Sequence, residues 1–269
     1  MKKLRKIAFV TIWVLLAAGA CLLVGLTNLE QYDRPCRTIY ISIDYGQADK
    51  LVTKGDIDSI IRRSSGRISG KPMGWIDISR IGNSIKQQAY VEKVNIYESL
   101  DGNICVDVKQ REPILRIINN KYETFYIDGS GRLLPPHPFY PVRVLIANGN
   151  ISHSYIANRN FRIETPMIGD TIGPADSLLF DLYKLALYIN RDKFLKADID
   201  QIYVTPDHEF ELLPKVGNHV IMLGKADNLD EKFKKLLAFY KKGLTIIGWN
   251  KYNYIDIKYR NQVVCSKLQ

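Results

Sequence analysis

The chain has 269 residues, of which 46% are hydrophobic and 25% are charged, which is the composition of an ordinary folded protein. There is no low-complexity tract and no internal repeat, so repeat architectures are excluded. The formal net charge is +10. Part of it lies in a basic N-terminus and the rest is mixed with acids along the chain, so nucleic acid is not an expected partner.

An uncharged apolar run near the N-terminus, Ile7–Leu26, is long enough to span a bilayer as a helix. Lys2, Lys3, Arg5 and Lys6 precede it. Because basic residues stay on the cytoplasmic side of a membrane, this pattern predicts a cytoplasmic tail at residues 1–6 and a transmembrane helix at 7–26. The rest of the chain would be extracytoplasmic, beginning with a linker at 27–36.

Two cleaved alternatives compete with this anchor. Ala17–Ala20 resembles a signal-peptidase site, and Cys21 after Gly19-Ala20 loosely resembles a lipoprotein signal. However, Leu22–Leu26 continues the apolar run, and cleavage would leave that hydrophobic segment as a new terminus. The length of the run therefore favours an uncleaved anchor.

Residues 37–113 predict a compact domain with the element order β-α-α-β-β. A capping box, Thr53 with Asp56, opens a helix that ends near Gly66, and a second helical pattern runs from Ile78 to about Tyr90. The expected strands are 38–43, 91–99 and 104–110, with an Asp-Gly turn between the last two. This order places two helices on one face of a small sheet.

From residue 114 to 269 the sequence becomes rich in strand patterns. The expected strands are 125–127, 133–134, 141–147, 199–204, 209–213, 219–223, 254–259 and 263–266. Residues 148–173 are predicted to form a loop. One helix begins at Pro174 and another follows a cap at Asp227/Asn228. The predicted fold class is α+β: a second domain with a mostly antiparallel sheet and two main helices.

Motifs for catalysis, cofactors or metals are absent from the sequence. The four histidines have no ligand spacing, and Cys21, Cys36, Cys105 and Cys265 are far apart. Asp198 and Asp200 are interpreted as solvated acids at the start of a strand, and Asp128–Gly131 as a turn. We expect a protein that is not an enzyme and that binds no cofactor.

The final strand offers a different kind of site. Val263–Ser266 lies close to the C-terminus, and a terminal strand often forms the edge of its sheet. An open edge presents unpaired N–H and C=O groups that a partner strand can occupy. The competing interpretation is that Lys267 and Gln269 only protect an unused edge.

Several segments, taken in order, resemble the FtsQ/DivIB family of bacterial cell-division proteins over essentially the full length. They are Val106–Ile114 (VDVKQREPI), Tyr126–Gly131 (YIDGSG), Pro141–Leu145 (PVRVL) and the ending LGKA, FKKLL and YIDIKYRNQVVC between Leu223 and Cys265. The chain departs from the family's usual pattern at Ile43–Gly46 and at Ala89–Val91.

The resemblance implies a POTRA domain followed by a β domain, in a single-pass protein of the cytoplasmic membrane at the division septum. It further implies a non-enzymatic scaffold of the divisome that links septum assembly to septal cell-wall synthesis. Its partners would be FtsB-like and FtsL-like single-span coiled-coil proteins and other divisome proteins. The FtsB-like partner would add a strand to the last strand; by position this implies binding residues Tyr259, Asn261, Gln262, Val263, Val264, Cys265 and Ser266.

Two other functional classes remain open at this point. A POTRA-bearing protein of outer-membrane assembly or secretion would use its POTRA sheet edge to hold peptides. An extracytoplasmic cell-wall enzyme is the second alternative, although no catalytic motif supports it.

Overall fold

The computed structural model describes residues 13–20, 33–155, 163 and 174–267. The chain forms two compact units. The first includes residues 33–46 and 52–110, and the second includes residues 47–51 and the chain from Arg111 onward.

The first unit has the β-α-α-β-β order that the sequence predicts. Its elements are β1 (Ile39–Asp44), α1 (Lys54–Ser65), a 3₁₀ turn (Met73–Trp75), α2 (Ile78–Lys86), β2 (Val91–Glu98) and β3 (Ile104–Gln110). The strands form a sheet in the order β1-β3-β2, with β1 parallel and β2 antiparallel to β3. Each helix buries two of its isoleucines: Ile57 and Ile61 in α1, and Ile81 and Ile85 in α2.

Local hydrogen bonds explain where these helices begin and end. Thr53 and Asp56 form the predicted capping box, and Gly66 ends α1 with a φ of 70°. Helix α2 ends at Lys86, short of the predicted boundary near Tyr90. A tight turn follows it, in which the backbone N–H of Val91 donates to the Gln88 carbonyl (3.0 Å), and the chain enters β2 there.

The second unit is built on a nine-stranded sheet. Its strands are β4 (Pro113–Ile118), β5 (Thr124–Asp128), β6 (Leu133–Leu134), β7 (Leu145–Gly149), β8 (Ile199–Val204), β9 (Phe210–Pro214), β10 (Val220–Gly224), β11 (Tyr252–Asp256) and β12 (Val264–Lys267). Its helices are α3 (Pro174–Arg191), α4 (Lys193–Asp198) and α5 (Leu229–Phe239); a π-helical segment (Tyr240–Leu244) and a short turn, α6 (Thr245–Ile247), follow α5. The strand order is β12-β11-β10-β9-β8-β7-β4-β5-β6.

This sheet is mixed. Strands β8, β9 and β10 form the predicted antiparallel meander. The pairs β4/β7, β7/β8 and β10/β11 are parallel, against five antiparallel pairs. Parallel neighbours need a long crossover. Helices α3 and α4 lie between β7 and β8 in the chain, and α5 lies between β10 and β11.

The helices pack on one face of this sheet and leave the other partly open. In β4, Leu115 and Ile117 are fully buried, whereas the alternating residues Ile114, Arg116 and Ile118 are half-buried. The buried residues join one core that includes Leu182 and Leu185 of α3 and Phe233 and Leu236 of α5. On the opposite face, the side chains of β4 are therefore half-exposed.

Two predicted strands are displaced in the structure. The strand expected at 141–147 begins at Leu145, because Val142 donates its N–H to the Tyr126 hydroxyl (3.0 Å), a side chain and not a strand backbone. The strand expected at 254–259 ends at Asp256. There the Asp256 carboxylate accepts the Lys258 N–H at 2.8 Å, which bends the chain out of the ladder.

Two predicted roles of polar residues are wrong. Asn228 lies at the start of α5 with a φ of 46° and makes no side-chain cap, while Asp227 accepts a hydrogen bond from the Lys232 ammonium at 2.5 Å. Asp198 is not solvated; it is 6% exposed at the end of α4, and burial raises the pKa of its carboxyl. Asp200 is exposed, 3.5 Å from the Lys215 ammonium.

The N-terminal prediction lies mostly outside the described residues. Residues 13–20 are helical, and the remainder of the predicted span 7–26 and residues 27–32 of the linker fall outside. Within the described ranges, no helix combines the length and apolar character needed to cross a membrane. Cys36, Cys105 and Cys265 are free thiols.

Candidate functional site

The C-terminal strand lies at one end of the nine-stranded sheet. β12 pairs antiparallel with β11, in the register Tyr254 with Ser266, Ile255 with Cys265 and Asp256 with Val264. In the part of the chain that the structure describes, β12 has a strand neighbour on that side only. Its other side has the geometry of an open edge, where backbone groups can accept a further strand.

The opposite end of the sheet differs. Strand β6 has two residues, Leu133 and Leu134, and both are buried. Beside it, the backbone N–H of Ile163 donates to the Gly131 carbonyl at 2.8 Å, and a Cβ placed on Gly131 would come within 2.5 Å of the Ile163 carbonyl oxygen. Chain packed this tightly leaves little space for a partner strand, so β12 is the more accessible edge of this sheet.

The seven predicted site residues fall into two groups. Val264, Cys265 and Ser266 are in β12, and Val263 directly precedes it. Val263 and Cys265 are partly buried and pack against the core, whereas Val264 and Ser266 are exposed. The alternation follows from the pleat of the strand. A partner could therefore contact the side chains of Val264 and Ser266, but only the backbone groups of Cys265.

Tyr259, Asn261 and Gln262 form the second group, in the turn between β11 and β12. All three are exposed, and Tyr259 is 51% exposed. Asn261 has a φ of 59°, a left-handed conformation that asparagine tolerates better than most residues. The turn therefore presents three polar or aromatic side chains next to the open edge.

Helix α5 holds this turn through its charged side chains. The Lys235 ammonium donates hydrogen bonds to the carbonyls of Ile257 (3.2 Å) and Tyr259. The Glu231 carboxylate lies 3.5 Å from the Asn261 N–H and 3.9 Å from the Lys235 ammonium. These contacts tie the candidate site to the core helix.

A second lysine fixes the chain where it leaves β11. Lys258 lies 3.2 Å from the Glu209 carboxylate, and this hydrogen bond is the main cause that raises the pKa of the lysine. Its stem crosses Gly224, where an added Cβ would come within 2.7 Å of Lys258 Cγ. Because Gly224 also has a φ of 72°, a glycine is required there on both steric and conformational grounds.

Nucleophilic or metal chemistry has little support at this edge. Burial raises the pKa of the Cys265 thiol, which disfavours the reactive thiolate. Over residues 13–20, 33–155, 163 and 174–267, no group of histidine, cysteine and carboxylate side chains is arranged to hold a metal ion. The arrangement is suited to recognition through backbone and exposed side chains.

Sequence reasoning missed three residues of this site. Tyr254 is 49% exposed and lies opposite Ser266, so it extends the exposed face of the edge. The sequence Tyr254-Ile255-Asp256 could have predicted this exposure: successive side chains of a strand point to opposite faces, so Tyr254 lies on the face opposite buried Ile255. Lys235 and Glu231 carry no such signal, since their contacts join residues more than 20 positions apart.

Comparison with known proteins assigns a family to each unit. Residues 34–109 match the model of a POTRA-like domain, and residues 112–266 match the FtsQ/DivIB, C-terminal related model. Two relatives are the cell division protein FtsQ of Geotalea daltonii, 22% identical over 199 residues, and the cell division protein DivIB of Clostridium acetobutylicum, 24% identical over 234 residues.

These alignments cover 74% of this chain and 66% of the Geotalea protein, and 86% of this chain and 84% of the Clostridium protein. The chain thus spans slightly less than two thirds of the first relative. The FtsQ/DivIB C-terminal model extends over more than half of the chain and includes β4 through most of β12. On this evidence, the chain belongs to the FtsQ/DivIB family.

Proposed function

We propose that this protein is a non-enzymatic scaffold of the cell-division complex, which holds FtsB-like and FtsL-like partners at the septum. An FtsB-like partner adds a strand to β12 and lies next to the turn at Tyr259–Gln262. The observation that carries this proposal is the position of β12, an exposed strand with a neighbour on one side within the described residues. The names of the two relatives support a role in cell division.

Binding at this edge combines backbone and side-chain contacts. The ladder of a four-residue strand supplies only a few hydrogen bonds, each worth about 0.5–1.5 kcal/mol net. Useful affinity therefore needs apolar contact with Val264 and Tyr254 and polar contact with the turn. Because Lys235 and Lys258 hold the turn before the partner arrives, the entropy lost on binding is reduced.

The same proposal places the protein in the cytoplasmic membrane through residues 7–26. Its two folded units would be extracytoplasmic, where they meet the outer segments of single-span partners. Catalysis, a metal ion and a cofactor play no part in this function.

The test is a proline scan of β12 in the full-length chain. Because the N–H groups of successive strand residues point to opposite edges, Val264→Pro and Cys265→Pro remove donors on opposite sides of the strand. One of them deletes a donor to the partner, and the other deletes a bond to β11. The variant that loses the donor to the partner should bind the extracytoplasmic FtsB-like segment at least about tenfold more weakly, with little change in stability. The variant that loses the bond to β11 should be less stable.

Circular dichroism and thermal unfolding separate these two outcomes. A folded variant that has lost binding supports the edge. If both proline variants bind the partner with wild-type affinity, β12 is not the site.

A second candidate has a structural observation in its favour. In the first unit, β1 and β2 are both outer strands of the described three-stranded sheet, so a POTRA edge is also open to peptides. Asn95→Pro, at an exposed position of β2, is the matched variant. Loss of binding in this variant alone would transfer the site to the POTRA unit.

A further inference from the structure

A cleft of about 540 Å³ opens in the second unit, on the side where the parallel strands begin. Its floor includes the first residues of three adjacent strands, Pro113 of β4, Leu145 of β7 and Ile199 of β8. Ile189 and Asn190, near the end of α3, also line it. A cleft of this size fits a small organic molecule.

Arg116 lines this cleft with a partly buried guanidinium group. It lies on the open face of β4, between Tyr126 and Ile146 on the neighbouring strands, and is half-buried. Its Nε is inaccessible to solvent and lacks a hydrogen-bond partner among the described residues. Burying part of a guanidinium without an anion is unfavourable. The cleft thus contains a cation that a bound anion would stabilise.

The cleft is lined by more basic side chains than acidic ones. Arg143 and Lys196 are exposed at the cleft and form no ion pair with any residue that the structure describes. Lys215 is 3.5 Å from Asp200 and is therefore partly neutralised. Two further acids, Asp49 and Glu112, also line the cleft.

The remaining wall of the cleft is largely apolar. Its residues include Pro113, Ile114, Pro141, Val144, Ile146 and Ile199. Contact with these side chains favours a ligand that has a hydrocarbon part beside its charged group. A simple inorganic ion would leave this wall in contact with water.

We propose that this cleft binds a small organic anion, with its carboxylate or phosphate group on Arg116 and its hydrocarbon part on the apolar wall. The Arg116 guanidinium donates hydrogen bonds to the two anion oxygens, a geometry that suits both kinds of group. Arg143 and Lys196 attract the anion at the entrance. The site is on β4 and is separate from the proposed partner edge at β12.

The experiment is calorimetric titration of the full-length chain with acetate, hexanoate and inorganic phosphate at constant ionic strength. Hexanoate should bind at least about tenfold more tightly than acetate, because its added methylenes leave water. Arg116→Met should weaken hexanoate binding by about tenfold to a hundredfold. Arg132→Met is the matched control, since Arg132 is exposed in the same unit and does not line the cleft.

Thermal unfolding gives a second readout, which also shows whether Arg116→Met is folded. Without added anion, Arg116→Met should unfold at the same temperature as the wild type or higher, because an unpaired cation has been removed. Hexanoate should raise the unfolding temperature of the wild type and of Arg132→Met, but not of Arg116→Met. Equal shifts in all three proteins, or no binding by the wild type, would overturn the site; equal affinity for acetate and hexanoate would overturn the role of the apolar wall.

Discussion

Lys235 shows how one side chain connects the core of the second unit to its candidate binding surface. Its side chain is 15% exposed, and its ammonium reaches two backbone carbonyls in the segment that leads out of β11. The neighbouring Lys234 is exposed and lies on the solvent side of α5. Two adjacent lysines of one helix thus have different roles, because only one faces the sheet.

Lys235→Met should loosen the turn at Tyr259–Gln262 while keeping most of the apolar stem. We expect the free energy of unfolding to fall by about 1–2 kcal/mol, since two carbonyls lose a charged donor. Affinity for the FtsB-like segment should fall by about tenfold, because the partner must then order the turn itself. Chemical denaturation and calorimetry measure the two effects.

Lys234→Met is the control for the same change of charge on the same helix. It should leave both quantities within experimental error of the wild type. A Lys235→Met protein that binds as tightly as Lys234→Met would show that the turn does not contribute to partner binding.

At the scale of elements, the π-helical segment after α5 encloses a buried polar pair. His219 Nε2 and the Tyr240 hydroxyl are 2.8 Å apart, and both residues are almost fully buried. Burial lowers the pKa of His219, with a smaller opposing effect of the Trp249 backbone, and it raises the pKa of Tyr240. The pair is therefore neutral at pH 7, as its surroundings require.

This pair predicts a loss of stability in mild acid. An unfolded histidine takes up its proton near pH 6.5, whereas His219 in the folded protein does so only at lower pH. Between these two values the unfolded state binds more protons. Stability should therefore fall as the pH decreases below about 6.5, by at most about 1.4 kcal/mol per pH unit.

His219→Gln isolates this effect, because glutamine retains a polar partner for Tyr240 but does not titrate. Denaturant unfolding of both proteins from pH 7.5 to pH 5 should give curves that diverge below about pH 6.5. Asp198 has the opposite effect on the pH dependence of stability: because its pKa is raised in the folded protein, its contribution to stability increases as the pH falls. This contribution is the same in both proteins. Parallel curves would contradict the assignment to His219.

On the scale of the whole molecule, the two units have separate means of stabilisation. The second unit has its own hydrophobic core cluster, whose residues lie between Ile114 and Cys265. The first unit depends on isoleucines of α1 and α2 against a three-stranded sheet, and on a capping box at Thr53. A change confined to one unit should therefore be detected mainly within that unit.

Thr53→Ala tests this expectation. The Thr53 hydroxyl accepts the Asp56 N–H at 3.2 Å and donates to the Asp56 carboxylate at 2.7 Å. Loss of this cap should cost about 1 kcal/mol. Hydrogen exchange should accelerate for the amides of α1, while β12 amides and partner affinity remain unchanged.

Ser59→Ala provides a control in the middle of the same helix. Ser59 is exposed and makes no side-chain hydrogen bond with the described residues, so its replacement should not reduce the protection of α1. Equal loss of protection in both variants, or weaker partner binding by Thr53→Ala, would contradict the separation.

Sequence alone determined the features that depend on local physics. The capping box at Thr53, the meander from Ile199 to Gly224 and the β-α-α-β-β order of the first unit follow from periodicity and turn chemistry, which act over a few residues. Among the described residues β12 is an outer strand of its sheet, as the sequence predicts for Val263–Ser266.

Only the tertiary structure decided which distant residues meet. The parallel pairs β4/β7, β7/β8 and β10/β11, the burial of Asp198 and the carbonyl contacts of Lys235 all join segments that no local pattern connects. The cleft around Arg116, whose Nε has no hydrogen-bond partner among the described residues, belongs to the same class, because its lining comes from three separate strands and two helices. Local propensity selects the elements of this chain, and the burial of one shared core selects their arrangement.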